Sequence, residues 1–286
     1  MLKTLLCPIT GNAADRAALD AAAVIARHFA GHVDVLHVKP DTAAMTPYLG
    51  DGMSPAVIGQ IIEESERRAE SEAALARATF DVWARERALP VSDKPALSDA
   101  ASCAWRLEGG AEDGWIGQLG RLADLTVLPA AREGSTVGET LAFEAALLDT
   151  GRPVLLAPAR ALAIDAVAVI GWNGSPEAGR AIGAALPLLA AAREVHVVAV
   201  AEAKREAADP TAVTNYLAWH RISAKAQVIA DPQAAAAAAI DAECDRLGAG
   251  LLVVGGYTHS RLRELLFGGV TTHVSRAPRI PVLMAH

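Results

Sequence analysis

The chain lacks most of the features that announce a function outright. Aromatic residues make up 4% of its 286 positions, and cysteine occurs only as Cys7, Cys103 and Cys244. These three thiols lie far apart and form no CxxC pair, which excludes a disulfide framework and suits free buried thiols in a reducing cytoplasm. No apolar stretch approaches the ~20 residues that a membrane-spanning helix needs. The run at 2–7 turns polar by Thr10, too soon for a signal-peptide core, and reads as a first β-strand. The net charge is -7 with no basic stripe, so neither nucleic acid nor an anionic membrane is an expected partner.

Catalytic signatures are also missing. There is no HExxH, no paired Cys/His spacing, no GxSxG elbow, no GxGxxG and no GxxxxGK[ST]. His28 and His32 stand four apart, but Phe29-Ala30-Gly31 ends the helix between them. His37 reads as a core or rim histidine near the end of a buried strand. Adjacent residues rarely face each other, so His259 and Ser260 make no nucleophile pair. Asp165, Asp231, Asp241 and Glu243 show no paired-carboxylate pattern. No hydrolytic centre and no metal site are expected.

What is present is a repeat. The composition is 52% hydrophobic and rich in alanine, as suits a large buried core with small-residue helices, and the length suits two domains. A short apolar strand at 2–9, a turn at Gly11-Asn12, a helical run at 15–30 and a strand at 33–38 open the chain. The same plan returns as a strand at 166–171, a turn at Asn173-Gly174-Ser175-Pro176, a helical run at 177–192 and a strand at 195–200. The closings match as well: a strand at 125–129 leads through a helix to 153–158, and a strand at 251–255 leads through a helix to 281–286. Each closing strand reads Pro-Val-Leu. The repeats are therefore 1–160 and 161–286, joined near 159–165. Continuous apolar strands alternating with helices predict an α/β chain of two doubly wound, mostly parallel, Rossmann-like sheets. Ligands of such sheets sit beyond the carboxyl ends of the strands, at the switch point.

The repeats differ in the middle. Repeat 1 carries a Gly/Pro/Met-rich loop at 41–55 and a long amphipathic helix at 56–89, with Val57, Ile61, Ile62, Leu75 and Phe80 among charges. The mixed-sign run from Glu63 to Glu70 reads as a solvated helix face. Repeat 2 has only a short helix at 212–220 there, with Tyr216 and Trp219.

The most informative stretch runs from Val253 through Gly255-Gly256-Tyr257-Thr258-His259-Ser260-Arg261-Leu262-Arg263-Glu264 to Phe267-Gly268-Gly269-Val270-Thr271-Thr272. A buried strand ends in glycine, a basic turn follows, and a second glycine pair opens a helix. Glycine lets backbone approach a ligand, and a helix N-terminus offers unpaired N–H groups to phosphate oxygens. Thr271 and Thr272 add hydroxyls, and Arg261 and Arg263 add positive charge. Taken alone, the same glycines could equally serve only as turns.

This stretch resembles the signature of the universal stress protein family, G-x2-G-x9-G followed by Ser or Thr. Gly255 matches the first glycine and Gly268 the third, and the likeness extends over nearly all of repeat 2 and, in plan, over repeat 1. The resemblance implies a bacterial tandem member. It implies that Gly255, Thr258, Gly268, Gly269, Val270 and Thr271 hold ribose and phosphates, and that Asn173, Gly174 and Val200 lie on the base side. The cofactor implied is ATP or a related adenine nucleotide, optionally with Mg. This chain departs from the pattern in having Thr258 for the second glycine, Gly269 for the hydroxyl residue and Asn173 for an aspartate. HIGH-like, KMSK-like and SGGxDS motifs of ATP-consuming relatives are absent, so the expectation is a cytoplasmic, non-enzymatic, nucleotide-responsive protein that acts on an unidentified protein partner. The alternatives are a nucleotide-independent interaction protein and a weak ATPase.

Repeat 1 has Pro129 where the strand-end glycine would be, lacks the long glycine spacing, and has Ile9 or Thr10 where an acid would sit. It is expected not to bind nucleotide. Gly134-Ser135-Thr136 reads as a turn, with a small anion as its other reading. Family likeness also implies that the two closing strands, 154–157 and 282–285, pair across a two-fold axis inside one chain as a pseudo-dimer; a further homodimer is left open.

Overall fold

The computed structural model of the chain describes residues 1–41, 54–94, 99–130, 136–201, 207–230, 236–256 and 278–286. The first repeat runs β1 (Thr4–Pro8), α1 (Asp15–Phe29), β2 (His32–Lys39), α2 (Pro55–Glu86), β3 (Ser102–Gly109), α3 (Glu112–Gly120), β4 (Leu125–Pro129), α4 (Val137–Leu148) and β5 (Val154–Ala157). The second runs β6 (Val167–Gly171), α5 (Pro176–Ala191), β7 (Glu194–Ala201), α6 (Pro210–Trp219), β8 (Ala224–Ala230), α7 (Ala236–Leu247), β9 (Leu251–Gly255) and β10 (Val282–Ala285).

Local chemistry explains where these elements start and stop. α2, α5 and α6 each begin with proline in the first turn behind a capping residue, Ser54, Ser175 and Asp209, whose side-chain oxygens accept from Val57, Ala178 and Thr211 N–H groups. α1 stops because Ala30 turns left-handed at φ 49° and returns its N–H to Ala26 O. That stop places His28 on an exposed helix end and His32 at the start of a strand, so the two histidines do not form a pair.

The strands form one ten-stranded sheet in the order β3-β2-β1-β4-β5-β10-β9-β6-β7-β8. All neighbours are parallel except β5 and β10, which run antiparallel with Val282 opposite Leu156 and Met284 opposite Val154. The expected pairing of the two Pro-Val-Leu strands is thus present, and it fuses two 3-2-1-4-5 sheets into an intramolecular pseudo-dimer. Each face of the sheet has a continuous apolar core that crosses this junction: Leu155, Ala157, Ile170 and Leu283 on one side, and Leu147, Leu156, Val169 and Met284 on the other. Central strands β4, β6 and β10 are buried nearly throughout, as in parallel sheets covered on both faces. The three cysteines are free and buried. Among the described residues no helix is long and apolar enough to cross a membrane.

The long helix of repeat 1 is real, but its buried stripe differs from the expected one. Val57 and Leu75 are 42% and 56% exposed, whereas Ala69, Ala76, Phe80, Trp83 and Ala84 are buried. Alanines let the helix backbone come down close to the sheet, which larger side chains would prevent. The glycine of the β1–α1 turn shows how close: a Cβ on Gly11, at φ +94°, would stand 3.1 Å from Glu72 O and 3.3 Å from Ala76 N.

Candidate functional site

Each repeat has a switch point where the chain leaves its first strand toward one neighbour and returns on the other side. In repeat 2 this lies between β6 and β9. Ile170 pairs with Val253 and Gly171 with Val198, so the carboxyl ends of β6, β7 and β9 finish at one level. Asn173, Gly174, Val200 and Gly255 lie within three residues of that level and share one edge of the sheet. The other sequence-predicted positions, Thr258, Gly268, Gly269, Val270 and Thr271, lie outside the described residues, as do His259 and Ser260.

The local geometry of the four described positions is specific. Asn173 is exposed, and its Oδ1 accepts the Ser175 N–H at 3.0 Å, which sets up the start of α5. Gly174 has φ +76°, a left-handed conformation that suits glycine. Gly255 packs tightly: a Cβ there would stand 2.5 Å from Ala178 N and 2.9 Å from Glu177 Cβ. So this glycine lets the first turn of α5 close onto the end of β9. Gly256 donates to Ala285 O at 2.7 Å, and a Cβ on it would meet the Leu147 side chain of α4 at 3.0 Å. The end of β9 therefore touches repeat 1 directly.

The matching place in repeat 1 is filled. A cavity of about 50 Å³ lies there, floored by Leu128, Phe143 and Leu156 and rimmed by Asp15, Glu112 and Glu139. Nucleotide-sized pockets measure roughly 300–1,000 Å³, so the described walls leave no room for one. Sequence reading found no acid in the β1–α1 turn, yet the fold supplies one from Asp15, whose Oδ2 accepts Thr10 N–H at 3.1 Å and Gly11 N–H at 2.6 Å. Asp15 is 1% exposed. Burial raises its carboxyl above the ordinary value, while the Gly11, Thr10 and Asn12 N–H groups pull it back down.

The helix N-terminus that could cradle an anion is closed by the chain itself. Thr136 Oγ1 accepts the Glu139 N–H at 3.2 Å and Glu139 Oε2 accepts the Thr136 N–H at 2.8 Å, a complete capping box on α4. Glu139 Oε1 also lies 3.4 Å from Asn12 Nδ2. Thr136 thus spends its donors on a carboxylate of its own helix, which disposes of the small-anion reading at that residue; Gly134 and Ser135 lie outside the described residues. The T-x-x-E pattern at 136–139 was a legible signal for this cap. Glu112 had no local signal at all, because only the fold brings α3 beside α1 and α4.

The remaining candidates are structural. His37 is buried on β2, its Nδ1 donates to Ile9 O at 2.9 Å, and its ring stacks on Trp105 at 6.2 Å. Glu243 pairs with Arg246 on α7. Among the described residues no group of three or more acid, histidine or cysteine side chains could hold a metal.

Solved structures share this architecture over the whole chain. A universal stress protein from Archaeoglobus fulgidus superposes with a TM-score of 0.62, covering 100% of this chain and 96% of that one at 15% identity. A functionally unknown protein from Pseudomonas aeruginosa PAO1 superposes with a TM-score of 0.54, covering 99% of this chain and 92% of that one at 14% identity. No protein-family model matches the sequence, and no curated protein does. At such identities the likeness establishes the fold, a tandem pair of universal-stress-type α/β units, and nothing finer.

Proposed function

We propose that this chain is a tandem universal stress protein in which repeat 2 binds an adenine nucleotide, ATP foremost and with Mg as an optional companion, and repeat 1 serves as its fold partner. The observation that carries the reading is the glycine-rich run from Gly255 to Thr271, which leaves the sheet at the carboxyl end of β9, beside the β6–β9 switch point. Open α/β sheets take ligands at that place. The contrast with repeat 1 supports the same division of labour, since a triphosphate would meet three carboxylates and a self-capped helix there. The protein works by occupancy rather than turnover, in the cytoplasm, altering the surface it offers to a protein partner.

Titration calorimetry and thermal shift with ATP, ADP and AMP, with and without Mg, test this. A ligand that binds only the folded state raises stability by about 2.7 kcal/mol at one hundred times its Kd. Heat and a thermal shift in the parent protein, both abolished by Gly268→Val, are expected; no response at millimolar nucleotide sinks the reading. Phosphate release that falls in the same variant would make the protein a weak ATPase instead.

One observation favours a second reading, a nucleotide-independent interaction protein. The space beside Gly255 is already taken by the first turn of α5, so that glycine has a packing reason to be there. On this reading Gly268→Val leaves the cellular phenotype unchanged.

A further inference from the structure

Three helices of repeat 1 point their N-termini at one cavity, and each brings a carboxylate. Asp15 is the first residue of α1, Glu112 the first of α3 and Glu139 the third of α4. Two of the three are tied down: Asp15 by the Thr10 and Gly11 N–H groups, and Glu139 by Thr136 N–H and Asn12 Nδ2. The Glu112 carboxyl has no hydrogen-bond partner among the described residues. It is half-buried, and no lysine, arginine or histidine lines the cavity with it.

The surroundings of α3 supply no compensating cation. On its own helix the neighbour is Asp113. From α4 comes Glu139, and from the β1–α1 turn comes Asp15. On β2 the cations are turned elsewhere: Lys39 reaches Glu70 of α2 at 3.5 Å, and His37 faces the other side of the sheet with Nδ1 on Ile9 O. The chain entering α3 is free to swing. Gly109 and Gly110 precede it, Gly110 has φ +120°, and a Cβ on Gly109 would meet nothing within 4 Å. Trp115, one turn along, fastens the helix to Gly109 O through its indole N–H at 2.9 Å.

We propose that Asp15, Glu112 and Glu139 form a proton-operated latch, in which a proton on Glu112 holds the first turn of α3 against α1 and α4, and its loss frees that turn about Gly109-Gly110. Burial, then the charges of Asp15, Glu139 and Asp113, push the Glu112 carboxyl up to about 7. Below that pH the proton bridges the cluster. Above it a third negative charge enters a small cavity that already holds two fixed ones, and the cheapest relief is outward motion of the one carboxylate that nothing holds. This inference concerns repeat 1 and stands whether or not repeat 2 binds nucleotide.

Hydrogen exchange of the full-length protein between about pH 5.5 and 8.5, corrected for intrinsic rates, reads the latch directly. Peptides covering 108–118 should lose about tenfold in protection with a midpoint near 7, while peptides at the start of α5 stay flat. Glu112→Gln is neutral at every pH and should abolish the transition. Glu139→Gln keeps a capping-box acceptor but removes a charge, and should lower the midpoint by about one pH unit. Protection at 108–118 that ignores pH, or a transition that survives Glu112→Gln or also appears in α5, overturns the proposal. So does an unmoved midpoint in Glu139→Gln.

Discussion

The two repeats share a strand order and differ at every point where the sheet meets its ligand side. Both open with a left-handed glycine after the first strand, Gly11 at φ +94° and Gly174 at φ +76°. In repeat 1 the backbone of the 32-residue α2 lies on that glycine; in repeat 2 its nearest neighbour is the Ala208 side chain, at 3.2 Å from a built Cβ. The fourth strand of repeat 1 ends in Pro129 and leads to a helix capped by its own Glu139, whereas β9 ends in Gly255-Gly256 and leads to the glycine-rich run. One fold thus carries a crevice filled with its own side chains and, beside it, one whose signature residues suit a phosphate ligand. The difference lies in a few residues at strand ends and helix starts, where backbone donors are either consumed internally or left to bind something else.

Substitutions can sharpen or break this contrast. The largest effect is expected where α2 is anchored. Trp83 is 0% exposed and Trp219, on the short α6, is 89% exposed. Trp83→Ala should cost about 3–5 kcal/mol in urea denaturation, and Trp219→Ala less than about 0.5 kcal/mol. Equal costs would mean that α2 is not the covering element described here. Trp83→Phe should be far milder than alanine, because the indole nitrogen is buried without a partner.

Next comes Gly255. A methyl group there must push backbone, since Ala178 N stands 2.5 Å from the built Cβ. Gly255→Ala should lose about 1–3 kcal/mol. A neutral outcome would remove the packing role and strengthen a purely ligand-binding one.

A smaller, pH-dependent effect belongs to Glu112. Its carboxyl lies at about 7 in the folded chain against 4.5 ordinarily. An acid raised on folding costs nothing below the ordinary value. Its penalty grows as pH climbs toward 7 and is complete above it. At ~1.4 kcal/mol per pH unit the ceiling is ~3 kcal/mol, and partial exposure brings the expected penalty to ~1–2 kcal/mol. Glu112→Gln should therefore stabilise the protein at pH 8 and leave it unchanged at pH 4.5, as read by melting temperature. The smallest effect is that of Thr136→Ala, about 1 kcal/mol from loss of the α4 cap. That variant also releases the helix donors that close repeat 1.

Much of the architecture was legible because it depends on local patterns. Buried parallel strands read as unbroken apolar runs, and β9 falls at 251–255 as expected. Helix starts were marked by Ser175-Pro176 and by the turn before it. The duplicated Pro-Val-Leu ends located the strands that join the halves. The stripe of α2 was misjudged because large apolar residues were taken as its buried side, while close approach to the sheet selects alanine at Ala69, Ala76 and Ala84.

By itself the sequence determined the fold class, the duplication and the glycine-rich run, since each is written in residues close together along the chain. Tertiary structure alone decided what faces what. It brought Asp15, Glu112 and Glu139, more than a hundred residues apart at the extremes, around one cavity. It also set Gly255 against α5, and Leu147 of repeat 1 on Gly256 of repeat 2. The physical reason is that carboxylate repulsion and steric contact depend on distance in space, and only the packed sheet, with helices on both faces, sets those distances.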